Sequence, residues 1–271
     1  MADDLYKIGP AGHKKRMIAL LRENARRHRL SEVFNDFCEV AALSFSNAVD
    51  LRNFKEREVR YLQIVGRYER EEVNRFPQIL ACLTSWMECA GMADCMGDLF
   101  MSLELGDSYK GQFFTPYEVS KLMARLTIGD EVGQLVQEQG FIRMSEPTCG
   151  AGGMVIACAE TLQESGFNYQ QCMHVTAQDI DSTAVHMTYL QLTLLHIPAV
   201  VIHGNTLSME CRSMWFTPAH VLGGWGARLR AREALRGASR PVELPVKQAA
   251  DTDPTAFSAT SDAALEQLAL F

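Results

Sequence analysis

Nine residues carry the densest chemical potential in the chain: Glu146-Pro147-Thr148-Cys149-Gly150-Ala151-Gly152-Gly153-Met154. They follow the apolar pair Phe141-Ile142 and lead into Val155-Ile156-Ala157-Cys158-Ala159, so a Gly-rich turn joins a strand-like segment to a helix-like one. Without a Cβ, glycine turns sharply at positive φ and lets a small molecule lie against bare peptide groups. A helix starting there points unpaired N–H groups at that molecule. The stretch has neither Gly-x-Gly-x-x-Gly nor Gly-Lys-Ser/Thr, which argues against a dinucleotide and against ATP phosphates. An acidic strand end followed by a Gly-rich turn suits a cationic ligand without phosphate, although glycines alone also serve tight structural turns.

Two further acids and an aromatic pair fit the same plan. Met173-His174-Val175-Thr176-Ala177-Gln178 reads as a second strand ending on Asp179-Ile180-Asp181, and a carboxylate at such a tip can hold a ribose diol. Asp181 or Ser182 suits a helix cap, which leaves Asp179 as the ligand candidate. Val200-Val201-Ile202 forms a third strand, followed by the loop Gly204-Asn205-Thr206-Leu207. Upstream, Gly111-Gln112-Phe113-Phe114-Thr115-Pro116 precedes a helix beginning near Tyr117, with Thr115 as its cap and Pro116 in its first turn. Phe113-Phe114 serve either as core anchors or as a wall against a flat ring. His186 and His196 read as packing or surface residues.

The elements that must position these residues alternate strand, helix, strand, helix, strand, which predicts a parallel sheet with all three loops at one edge. Helices are expected from about 117 to 126, 131 to 139, 154 to 164 and 183 to 196. Residues 1–107 read as a helical domain: Phe34, Phe37, Val40, Ala41 and Phe45 recur at helical spacing, Pro77 interrupts the pattern, and two more helices break near Gly91. Lys14, Lys15, Arg16, Arg22, Arg26, Arg27 and Arg29 oppose Glu23 alone, as a solvated helix face or a phosphate contact. Residues 108–226 form the core, and 227–271 a basic helix (Ala227 to Arg240) and a flexible polar tail, with a short apolar segment from Asp262 to Phe271.

The 271 residues carry a formal net charge of −7, which argues against polyanion binding over the whole surface. Eight cysteines with no Cys-x-x-Cys pair point to a reducing cytoplasm and to no zinc site, and no metal is expected. No apolar run approaches a membrane span.

Over about Met96 to Leu207 the motifs resemble the modification subunits of type I restriction–modification systems, adenine-N6 DNA methyltransferases that use S-adenosylmethionine. Gln112, Phe113, Phe114, Thr115 and Pro116 resemble that family's first cofactor motif, at the methionine end. Glu146, Pro147, Thr148, Cys149, Gly150, Gly152 and Gly153 resemble its glycine motif. Asp179 with Ile180 stands at the ribose acid, and Asn205-Thr206 at a loop where the family commonly has Asp on the adenine amino group. The resemblance implies an α/β, Rossmann-like S-adenosylmethionine-dependent methyltransferase core with a partial parallel sheet, preceded by a helical N-terminal domain. DNA, reached through a partner specificity subunit, is the implied substrate.

The family's Asn/Asp-Pro-Pro-Tyr/Phe catalytic motif is not found after Asn205, where Ser208 to Pro218 shows one proline and no apolar strand. Two functions therefore stay open: an adenine-N6 methyltransferase, and a non-catalytic cofactor-binding regulatory or interaction protein. If the sheet follows the family's, its first strand becomes an edge, so self-association or a protein partner is expected to cover it, or Val221-Leu222 or the tail does so locally.

Overall fold

A computed structural model describes residues 8–105, 114–129 and 132–238. Expectations for Gln112, Phe113 and the segment from 239 onward lie outside the described residues. Residues Met1–Gly226 form one compact unit and Ala227–Phe271 a second.

The N-terminal part is helical, as expected: α1 (Pro10–Asn24), α2 (Leu30–Val49), α3 (Phe54–Val65), α4 (Arg70–Ala90) and α5 (Cys95–Ser102). Helix α2 buries Phe34, Phe37, Ala41 and Leu43. Helix α4 ends at Gly91, whose φ of 71° is left-handed and whose N–H closes on the Met87 carbonyl at 3.0 Å. Pro77 does not interrupt α4, contrary to the sequence expectation. Its ring lies on the exposed face, while Phe76 and Ile79 anchor the buried side.

Next come α6 (Tyr117–Ile128), α7 (Val132–Gln139), β1 (Ile142–Glu146), α8 (Gly153–Glu164), α9 (Tyr169–Cys172), β2 (Met173–Asp179), α10 (Ser182–Leu194) and β3 (Ala199–Asn205). The N-cap of α6 is Pro116, without a side-chain cap bond, rather than Thr115. Strands β1, β2 and β3 are parallel, with Glu146 opposite Ala177 and Asp179 opposite His203. Both acids thus reach the carboxyl end of the sheet. Val155, Val175, Val185 and Val201 join Phe34, Leu83 and Met96 in one apolar core, which ties the sheet to the helices before it.

Then β4 (Glu210–Phe216), α11 (Pro218–Leu222) and α12 (Trp225–Ala238) complete the described chain. Strand β4 is unexpected. It runs antiparallel to β3, giving the order β1-β2-β3-β4 with β1 at one end of the sheet. Along β4 only Trp215 is buried. Its hold comes from far away: Arg57 donates to the Met214 carbonyl at 2.7 Å and stacks on the Trp215 ring at 4.3 Å. Arg57 also bonds Ser46 and pairs with Asp50 at 2.7 Å, so the buried cation has an anionic partner. Thr217 then closes the hairpin, donating to the Ile197 carbonyl and accepting from Ala199 N–H, both at 2.9 Å. Val221 and Leu222 lie in α11 with exposed side chains and pair with no strand.

Candidate functional site

The glycine turn is built from three directions. Gly150 has φ of 54° and Gly152 of 95°, the latter as N-cap of α8, so both need the freedom expected of them. A Cβ on Gly150 would lie 2.9 Å from the Phe114 ring, one on Gly152 3.2 Å from Thr188 Oγ1, and one on Gly153 3.0 Å from Asp94 Oδ2. The protein's own side chains thus press on one side of the loop. Phe114 in turn packs on Phe100, with ring centroids 5.0 Å apart.

Asp179 Oδ2 accepts from Gly150 N–H at 2.9 Å, and its Oδ1 accepts from Asp181 N–H at 2.9 Å. One carboxylate therefore fixes the first loop against the second while keeping a lone pair on each oxygen. Cys149 N–H donates to the Gln178 carbonyl at 2.8 Å, extending the strand contact into the turn. Thr206 Oγ1 donates to the Pro147 carbonyl at 2.7 Å, which brings in the third loop. Glu146 is buried and accepts from Thr148 N–H at 3.3 Å. Burial pushes the carboxyls of Glu146 and Asp179 up from the ordinary range, so a cation arriving between them would relieve the cost of their charge. Ile180 beside them is exposed and gives the same rim an apolar side chain. Asp181 caps α10, accepting from Thr183 N–H at 2.7 Å, as the sequence suggested.

Asn205 stands at the same edge of the sheet. It ends β3, and its Oδ1 accepts from Leu207 N–H at 3.0 Å and Ser208 N–H at 3.4 Å. Its amide oxygen turns its own loop. Cys149 is a buried thiol whose pKa is driven well up by desolvation, which suits packing rather than nucleophilic attack.

Four residues of the site were not singled out from sequence: Asp94, Phe100, Thr188 and Gln191. Gln191 donates from Nε2 to Asp94 Oδ1 at 2.7 Å and to the Ala151 carbonyl at 2.8 Å, and its Oε1 accepts from Met96 N–H at 3.1 Å. Thr188 donates to the Gly150 carbonyl at 2.8 Å. The capping position of Asp94 before Cys95 was readable, since an Asp at a helix start is a standing signal. Its approach to Gly153 was not, because it depends on the docking of α5 against α10.

Parallel strands with a Gly-rich turn after the first, an acid after the second and a third loop at the same edge define a Rossmann-like α/β core. Residues 99–221 match the family model described as N-6 DNA methylase. No curated protein matches the chain. A solved structure from Listeria monocytogenes, assigned to the class I S-adenosylmethionine-dependent methyltransferases, aligns at 13% identity with a TM-score of 0.37, over 72% of this chain and 54% of the other. The chain therefore spans about half the length of that protein. Among the described residues there is no helix long and apolar enough to cross a membrane, and no group of His, Cys, Asp and Glu suited to a metal ion.

Proposed function

We propose that the chain binds S-adenosylmethionine at the carboxyl edge of its parallel sheet and serves as a DNA adenine-N6 methyltransferase-like protein of the type I modification-subunit kind. The observation that carries this reading is the closure of the glycine turn by Asp179, which leaves two carboxylates, a buried Glu146 and a half-buried Asp179, beside a helix N-terminus. The residues fit a cationic nucleoside. Asp179 retains acceptor capacity for a ribose diol, Ile180 presents an apolar face for a base, and the start of α8 offers N–H donors to a carboxylate. Phe114, Thr115 and Pro116 would border the methionine end, with Gln112 and Phe113 before them. When bound, the cofactor supplies an electrophilic methyl group. The chain's share is to orient it and to exclude water from one side.

The non-catalytic reading is favoured by a specific observation. Beyond Asn205 the chain forms an antiparallel strand, Glu210–Phe216, leading to Thr217-Pro218, with no Pro-Pro pair to grip an extruded base. Calorimetric titration with S-adenosylmethionine tests the shared part, and incubation with unmethylated DNA and cofactor labelled in the methyl group separates the two. Label in DNA that is lost in the Gly150→Asp variant supports the enzyme. Binding without label supports the regulatory protein, and no binding by the wild type overturns both.

A further inference from the structure

The packing of α1 sorts its cations, and those just after it, into paired and unpaired ones. Met17, Leu21 and Asn24 are buried on the side that packs on α4. Lys14 is taken by Asp98 at 2.7 Å and Arg27 by Glu69 at 2.6 Å. Glu23, the one acid of the helix, is turned to Arg75 of α4 at 3.1 Å. Lys15 and Arg22 lie on the opposite side, exposed and two turns apart. Exposed Arg26 follows them in the turn that closes on the Glu23 carbonyl at 3.4 Å. Among the described residues no acid pairs with any of these three. Arg22 and Arg26, four residues apart, repel each other, a cost that an anion laid across them removes.

We propose that this face of α1 is a contact surface for the phosphate backbone of duplex DNA. The helical rise sets Lys15 and Arg26 roughly 16 Å apart along the axis, the span of about five phosphates on one strand of a duplex. In a chain of formal net charge −7, an unopposed cationic row is where a polyanion is drawn. Helix α1 holds no aromatic side chain on which an unpaired base could stack, which favours a duplex over a single strand. Its apolar side is occupied by α4, so this face has nothing to insert into a lipid surface. The Lys14–Asp98 pair ties α1 to α5, and Asp94 at the start of α5 abuts the glycine turn, so the row and the sheet edge belong to one unit. Such contacts position a duplex without reading its sequence. The inference stands on these charges and not on the cofactor reading.

Fluorescence anisotropy of a labelled duplex of about 30 base pairs, titrated with the full chain between about 50 and 200 mM salt, gives the slope of log affinity against log salt. S-adenosylmethionine is left out, so a failed cofactor titration touches the cofactor reading alone. Each of Lys15→Gln, Arg22→Gln and Arg26→Gln is expected to flatten the slope by about 0.9, and the triple variant by about 2.7, with circular dichroism unchanged. Arg22→Lys is expected to keep the slope, because the contact needs a point charge. Arg52→Gln, at an exposed cation outside this face, is expected to leave it unchanged. A wild type that does not bind, a triple variant with the wild-type slope, or Arg52→Gln flattening it as much as Arg22→Gln each overturns the proposal. Poly-glutamate that competes as strongly as unlabelled duplex at equal charge assigns the face to an acidic protein and overturns it as well.

Discussion

The Gln191 side chain holds the Asp94 carboxylate at 2.7 Å, joining residues 97 positions apart and bringing the helical part of the chain to the glycine turn. Because the same amide also donates to the Ala151 carbonyl and accepts from Met96, its loss leaves several buried polar groups unpaired. Gln191→Leu is expected to cost about 2–4 kcal/mol, the range for a few unsatisfied groups, and to weaken S-adenosylmethionine binding by distorting the turn. Urea denaturation and calorimetric titration of the variant measure the two effects. Unchanged stability would show that the amide is not holding the turn.

Gly150 sits at φ of 54° under the Phe114 ring. Gly150→Ala adds a left-handed strain of about 1–2 kcal/mol and a clash on top of it. Combining it with Phe114→Leu is expected to recover the clash and not the strain, so the double variant should unfold between the single variant and the wild type. A thermal or urea series resolves the order.

Asp179→Ala removes two backbone hydrogen bonds and the proposed diol acceptor together. The expected outcome is S-adenosylmethionine binding at least ~10-fold weaker, equal to about 1.4 kcal/mol. Asp179 has its pKa raised by burial, and the acceptor form is the ionised one, so binding should fall as pH drops through a value above the ordinary aspartate range. Titration at several pH values follows both, and full affinity in Asp179→Ala would remove this residue from the site.

His186 packs edge-on against Trp215, with centroids 4.9 Å apart, and burial lowers its pKa to about 4. The unfolded chain takes up that proton near pH 6.5 while the folded one does not, so stability is present above that value and declines as pH falls towards 4. The slope is bounded by about 1.4 kcal/mol per pH unit for one group. A His186→Gln variant should lose that share of the acid dependence, read from denaturation midpoints between the two pH values.

What was legible in the sequence was local. Strands β1 to β3 announce themselves by short apolar runs ending on acids and glycines, and α8 and α10 by the turns that start them. Hidden parts depend on distant neighbours. Strand β4 shows the sequence Glu210-Cys211-Arg212-Ser213, polar enough to read as loop, and it pairs with β3 because Arg57 and Thr217 hold its far end. Gly204, next to the bulge in β3, has no room for a Cβ beside the Glu210 carbonyl, a need that no single segment reveals. Pro77 misled for a similar reason, since its tolerance depends on which helix face meets water.

The glycine turn takes its shape from Asp94, Phe114 and Thr188, which arrive from three separate stretches of chain. Its geometry therefore rests on contacts between residues far apart in sequence, whose loops cost entropy to close. A boundary drawn between residues 107 and 108 leaves Asp94 on one side and Gln191 on the other. Cut there, the strands and the glycines would travel together, and the acid that abuts the start of α8 would stay behind.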